Sequence, residues 1–265
     1  MTVTVGAIHT FLASLAPEEL QMSFDNSGFL VGERVHPVHR VLVSLDITLP
    51  VAEEAVALGA ELIVSHHPVI FDPVRRVTDE STTGKILLAL IKNEVAAICM
   101  HTNLDAVRHG VNDVLAEAAG LSGVLQLHED GLDSFGRPYG IGRVGELPGA
   151  LEFEAYAAGI KAALGCGGLR CCDAGKPVRR VAVGSGSCGS MLEDAVRAGC
   201  DTFVTADVKY DVFLEAQARG INLIDAGHYP TEQPVMPRLA DALRRRFPSV
   251  RVEETAVHRD DVRYL

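Results

Sequence analysis

The chain has 265 residues, enough for one large or two intertwined domains with a real core, and 48% of them are apolar. A formal net charge of −11 argues against non-specific binding to nucleic acid or to an anionic membrane. No apolar run approaches the ~18 residues of a membrane span. The N-terminus shows no secretory pattern, and the six cysteines form neither a CxxC pair nor a zinc knuckle, so a reducing cytoplasm is the expected location.

In chain order, Val5 to Leu15 reads as a helix. VLVSLD from Val41 then reads as a buried strand ending on Asp46. Pro50 suits a first helical turn, Val51, Ala55 and Leu58 recur at helical spacing, and Gly59 suits the left-handed cap. LIVSHHP starts at Leu62 as a strand and ends on His66 and His67, where Pro68 stops it. AAICMHTNLD from Ala96 is a second such run and delivers His101 and Asp105, the latter just before a helix. Gly131 to Gly149 is rich in Gly and Pro without a GxGxxG plan, and reads as connecting strand and turns. Leu151 to Leu164 is helical. NLIDAGHYPTE from Asn222 is the third run, with His228 just outside a helix that begins near Pro230 and Glu232 in its first turn. Arg244, Arg245 and Arg246 read as a solvated helix end.

The chain also repeats itself. Arg40–Pro68 aligns without a gap on Arg180–Val208, an offset of 140 residues, with Glu53 on Glu193, Ala55 on Ala195, Gly59 on Gly199 and Val64 on Val204. Each copy reads strand, helix, strand, and a further helix and strand follow in both. The expected fold is α/β, with two intertwined, duplicated lobes of mostly parallel mixed sheet joined by right-handed crossovers. The first lobe is expected over 1–130, and the connecting segment with the second lobe over 131–265.

In open parallel sheets, ligands collect at the carboxyl ends of strands. Five nitrogen and oxygen donors reach such ends from three places: His66, His67, Asp105, His228 and Glu232. Imidazoles with carboxylates suit two divalent ions of zinc, iron, manganese or nickel, held at strand ends between the lobes. Neighbouring His66 and His67 can share a side only where the strand stops. Without the other donors they would read as a hydrogen-bonded loop pair. Asp46 reads equally as a substrate contact, a support for a ligand or a helix cap. His101 reads as a catalytic proton shuttle or as a structural imidazole. Asp207 sits at the repeat position of His67. His9, His36, His39, His109, His128 and His258 lack ligand spacing and read as surface residues. Cys99 and Cys200 read as small core residues. For the vicinal pair Cys171 and Cys172, a structural role outranks a redox or metal-binding one.

FDNSGFLVG from Phe24, SHHPVIF from Ser65, HTNLDAVRHGVND from His101, GIGRVGEL from Gly140 and DAGHYPTE from Asp225 together resemble, in order and over nearly the whole chain, the dinuclear-metal family of GTP cyclohydrolase 1 type 2 homologues. The resemblance implies two α/β lobes related by duplication and a toroidal homohexamer with its metal sites facing an internal cavity. Its ligands fall on His66, His67, Asp105, His228 and Glu232. It also implies a metal-dependent hydrolase of a purine nucleotide, for which His101 and Asp46, read from their places at strand ends, are the catalytic candidates. No Walker motif or guanine-reading signature accompanies it. A phosphoesterase and a non-enzymatic metal-handling protein are the rival readings.

Overall fold

The computed structural model describes residues 2–134 and 136–265. It opens with α1 (Val5–Leu15), β1 (Gly28–Val31), β2 (Arg40–Ser44), α2 (Leu49–Leu58), β3 (Leu62–Ser65), α3 (Thr82–Lys92) and β4 (Ala96–Cys99). Next come α4 (Thr102–Ala106), α5 (Val111–Ala118), β5 (Ser122–Gln126), β6 (Gly131–Leu132), β7 (Pro138–Tyr139), β8 (Arg143–Leu151), α6 (Phe153–Leu164) and β9 (Arg170–Cys172). The last stretch holds β10 (Val178–Val183), α7 (Leu192–Arg197), β11 (Thr202–Thr205) and α8 (Tyr210–Arg219), then β12 (Asn222–Asp225), α9 (His228–Glu232), α10 (Val235–Arg246) and β13 (Arg251–Glu254). This is a mixed α/β fold. Among the described residues no helix is long and apolar enough to cross a membrane.

The chain forms two compact units. One comprises Met1–Leu104 with Met236–Arg259, and the other Asp105–Val235 with Asp260–Leu265. The first unit is built on a five-stranded sheet, ordered β1-β4-β3-β2-β13. Only β1 is antiparallel to its neighbour. Leu42 and Ile63 pack with Val51, Ala55, Ile86 and Leu90 from α2 and α3. The alternate residues Val41, Val43 and Leu62 are buried too, so the sheet is covered on both faces.

The second unit is built on a six-stranded sheet, ordered β5-β8-β10-β11-β12-β9, with a small β6-β7 ladder beside it. Val181 and Val183 face Phe153, Tyr156 and Ile160 of α6. Ala182, one residue out of phase, faces Leu192, Ala195 and Ala216 of α7 and α8.

The repeat is reproduced in strand register. Val41 pairs with Leu62 and Val43 with Val64 in one copy; Val181 pairs with Thr202 and Val183 with Val204 in the other. Gly59 and Gly199 both close their helices at left-handed φ, 66° and 70°. Behind each glycine a carboxylate holds two successive backbone N–H groups. Glu61 accepts from His39 (3.1 Å) and Arg40 (2.8 Å), and Asp201 from Arg179 (2.9 Å) and Arg180 (2.8 Å). The Arg40 guanidinium donates to Leu58 O, and that of Arg180 to Ala198 O, the matching helix end. Glu61→Ala and Asp201→Ala should therefore each lower the unfolding free energy by about 1–2 kcal/mol, the worth of hydrogen bonds to a half-exposed charge. Denaturant midpoints measure both losses, and a loss in one copy alone would show that the two supports are not equivalent.

Candidate metal centre

In the first unit the carboxyl edge of the sheet gathers three imidazoles. Where β3 ends, the N–H groups of His66 and His67 both bond Leu45 O (3.2 and 2.9 Å), which breaks the strand's alternation and turns both rings to one side. His101 follows the end of β4. The ring centroids lie 4.9 Å (His66–His67), 5.2 Å (His66–His101) and 5.4 Å (His67–His101) apart. One ring nitrogen from each lies within 4.8 Å of those of the other two, a group that can hold a metal ion.

Each ring is held from behind at Nδ1. His66 meets Met100 O at 2.7 Å, His67 meets Asp46 Oδ1 at 2.7 Å, and His101 meets Asp25 Oδ1 at 2.6 Å. A carbonyl or an ionised carboxylate can only accept, so Nδ1 donates in all three. Both carboxylates stay ionised. Burial raises the Asp25 pKa, but hydrogen bonds from His101 and Thr102 outweigh it and hold the group well below the usual range. Burial acts likewise on Asp46 and is outweighed by hydrogen bonds from His258 and His67.

Asp25 is a residue the sequence reading did not single out. Its side chain is fully buried and also accepts from Ser27 Oγ (2.9 Å), Thr102 N (3.0 Å) and Thr102 Oγ1. β1 runs antiparallel with Gly28 opposite Cys99, so the segment before β1 arrives at the same edge where β4 ends. Asp46 is not the helix cap; Thr48 is, accepting from Val51 N at 3.4 Å.

Two surface expectations are corrected. His258 has a side chain only 8% exposed and lies 3.0 Å from Asp46 Oδ2, because β13 runs parallel to β2 and carries the following residues to the same edge. His9 is buried on the inner face of α1, between Glu18 and Arg34 Nη1 at 3.1 Å.

In the second unit His228 is the first residue of α9, one turn before Glu232, so it stands inside the helix rather than before it. Its Nε2 lies 3.1 Å from Glu232 Oε2, and its Nδ1 lies 2.7 Å from Asp207 Oδ2. Burial alone would lower this imidazole, but Glu232 and Asp207 push it up to about 9, so an incoming cation has to displace its proton. Asp207 adopts φ 52°, in the left-handed region that aspartate tolerates better than most side chains. The buried Asp225 at the end of β12 accepts from Val208 N (3.0 Å) and Gly227 N (3.1 Å), tying the loops that carry Asp207 and His228. Asp105 lies within the short α4 and ahead of α5. Its Oδ1 accepts from Ser185 Oγ at 3.2 Å, while Asn112 bonds both Asp105 O and Ser185 N. Both Asp105 and Glu232 act on the thiol of the partly buried Cys188, which desolvation first of all pushes above its ordinary range. Gly186 makes room: its φ is 59°, and a Cβ there would land on Glu232 Oε1.

The vicinal thiols of Cys171 and Cys172 sit on successive residues of the edge strand β9 and face opposite sides, so they cannot share one ion. Cys99 and Cys200 are buried, as small core residues are.

These clusters of imidazole and carboxylate at strand ends define a mixed α/β protein with side-chain groups that could hold a metal ion. The family model of Duf34/NIF3 (NGG1p interacting factor 3) matches residues 3–261, and the chain belongs to that family. A Streptomyces coelicolor protein named GTP cyclohydrolase 1 type 2 homolog is 39% identical over 87% of this chain and 82% of its own. A Helicobacter pylori protein named GTP cyclohydrolase 1 type 2 is 37% identical over 86% and 87%. Among solved structures, a Staphylococcus aureus hypothetical protein superposes with TM-score 0.92 at 28% identity, covering all of both chains. A Bacillus cereus protein related to NIF3 has the same TM-score at 24% identity and shares the fold.

Two outcomes follow from these contacts. Gly186→Ala should destabilise the protein by about 1–2 kcal/mol through its left-handed backbone alone, with Glu232 displaced in a crystal structure of the variant; an unmoved Glu232 would refute the packing argument. Partial burial, then the Asp225 charge, push the Cys171 thiol up to about 11, and burial pushes Cys99 up to about 12. A raised pKa leaves little thiolate at neutral pH, so alkylation of the folded protein should be slow at pH 7 and accelerate towards pH 11. Rapid labelling of Cys171 at pH 7 would contradict that.

Proposed function

We propose that His66, His67, Asp105, His228 and Glu232 hold two divalent metal ions, of zinc, iron, manganese or nickel, and that the loaded protein hydrolyses a purine nucleotide. The observation that supports the metal reading best is the backing of the imidazoles at Nδ1. His66 and His67 each spend Nδ1 on an oxygen behind the ring, the arrangement by which metal-binding histidines are oriented. The substrate reading is supported by the names carried by the relatives, GTP cyclohydrolase 1 type 2 among them. A cytoplasmic homo-oligomer, a toroidal hexamer by resemblance, belongs to the same reading.

Two bound divalent cations would supply Lewis acidity and lower the pKa of water. The chain's own groups divide the remaining work. Asp46 keeps the His67 ring turned. His101 takes a proton at Nε2, while the buried Asp25 carboxylate at Nδ1 stabilises the imidazolium that results. Ser185 and Asn112 fix Asp105.

Elemental analysis tests the ligands. His66→Ala and Glu232→Ala should each lose at least one metal per chain with the circular dichroism of the fold unchanged, whereas His36→Ala and His128→Ala should lose none. Two metals retained in both ligand variants would sink the assignment. Turnover of a nucleotide and phosphoester panel by metal-reconstituted protein tests the activity. Chelation should abolish it, and His101→Gln should lower turnover more than metal content. Phosphoester turnover without nucleotide turnover would favour a phosphoesterase. Absence of any turnover, with rapid metal transfer to a competing apo-protein, would favour metal handling.

A further inference from the structure

Beside the three imidazoles of the first unit stand two phenyl rings that the core does not use. Phe24 is 60% exposed and Phe71 47%. Phe24 immediately precedes Asp25, and Phe71 follows His67 by four residues. Their loops are joined by Asn26 Nδ2, which donates to Ile70 O at 2.6 Å, and the second loop is anchored by the buried Val69. The ring centroids lie 6.4 Å apart with planes at 60°, an open V. The Phe71 ring in turn meets His101 edge-on at 6.1 Å and 79°. The V therefore opens next to His101, with His66 and His67 packed against the other sides of that imidazole.

We infer that Phe24 and Phe71 form a binding site for a planar heteroaromatic base, placed so that the base lies beside His101. A flat ring entering the V stacks on one phenyl and meets the other edge-to-face, the two arrangements that aromatic pairs favour. The bond between Asn26 and Ile70 fixes both walls before the ligand arrives, so little ordering is lost on binding. Stacking reads a π-face rather than a hydrogen-bond pattern, which fits a chain without a guanine-reading motif. The inference deepens the nucleotide reading above and rests on it for the choice of a purine.

The test uses 2-aminopurine riboside, whose fluorescence is quenched by stacking and is excited clear of protein that contains no Trp. Full-length, metal-free protein should quench it, and GTP should compete where ribose 5-phosphate does not. Phe24→Ala and Phe71→Ala should each weaken binding about 5- to 150-fold, the span of base–aromatic stacking. Phe71→Tyr should restore it, and metal content should stay at the wild-type level in every variant. Absence of quenching, or alanine variants that bind as wild type, would overturn the inference. So would alanine variants that change the oligomeric mass and leave the affinity intact, since the rings would then be a contact between copies. Failure here is separable from failure of the hydrolase reading. Quenching through the two rings without nucleotide turnover removes only the latter, and turnover without quenching removes only the former.

Discussion

Parallel pairing sends every strand of a set to the same edge, and the polar chemistry of this chain is arranged around that constraint. β2, β3 and β4 end together, as do β10, β11 and β12. Their interiors are apolar and covered on both faces, so side chains that carry charge or lone pairs find room only where the strands stop. The antiparallel neighbours add to the edge from the other direction. β1 begins opposite the end of β4 and β9 begins opposite the end of β12, which delivers Asp25 to one edge and Arg170 to the other.

A crowded polar edge is stable only if its groups satisfy one another, because an unpaired buried carboxylate or imidazole is expensive. The solution is the same in both units. An acidic residue on one loop holds the Nδ1 of an imidazole on another: Asp46 with His67, Asp25 with His101, Asp207 with His228. These pairs fix the orientation of the three rings. Where an imidazole also meets a carboxylate at Nε2, as His228 meets Glu232, the ring gains a proton that a cation must displace.

The two copies share the supports beneath the sheet and differ at its edge. The supports beneath the sheet, Glu61 with Arg40 and Asp201 with Arg180, make the same bonds in both. At the edge the copies diverge on one backbone. Asp46 corresponds to Gly186 and His67 to Asp207. The first copy places a carboxylate where it can hold its own histidine. The second removes the side chain to admit Glu232 and turns the neighbouring position into the group that holds His228.

The sequence by itself determined the local elements, because their signals are local. Val5–Leu15, the helix with Pro50 in its first turn and Gly59 at its end, and the short apolar strands were legible from periodicity and turn residues. The offset of 140 carried through to strand register for the same reason. His66 and His67 were legible as strand-end donors and His101 as a strand-end imidazole, since a strand end is marked by Pro68 or by the loss of apolar residues. Tertiary structure alone decided the rest. Nothing near Arg251–Glu254 says that this strand joins β2, so the burial of His258 against Asp46 was invisible. Asp25 precedes a strand instead of ending one, and only antiparallel pairing brings it to His101. Contacts between residues this far apart in the chain depend on which strands become neighbours, and one strand's own periodicity does not name its partner.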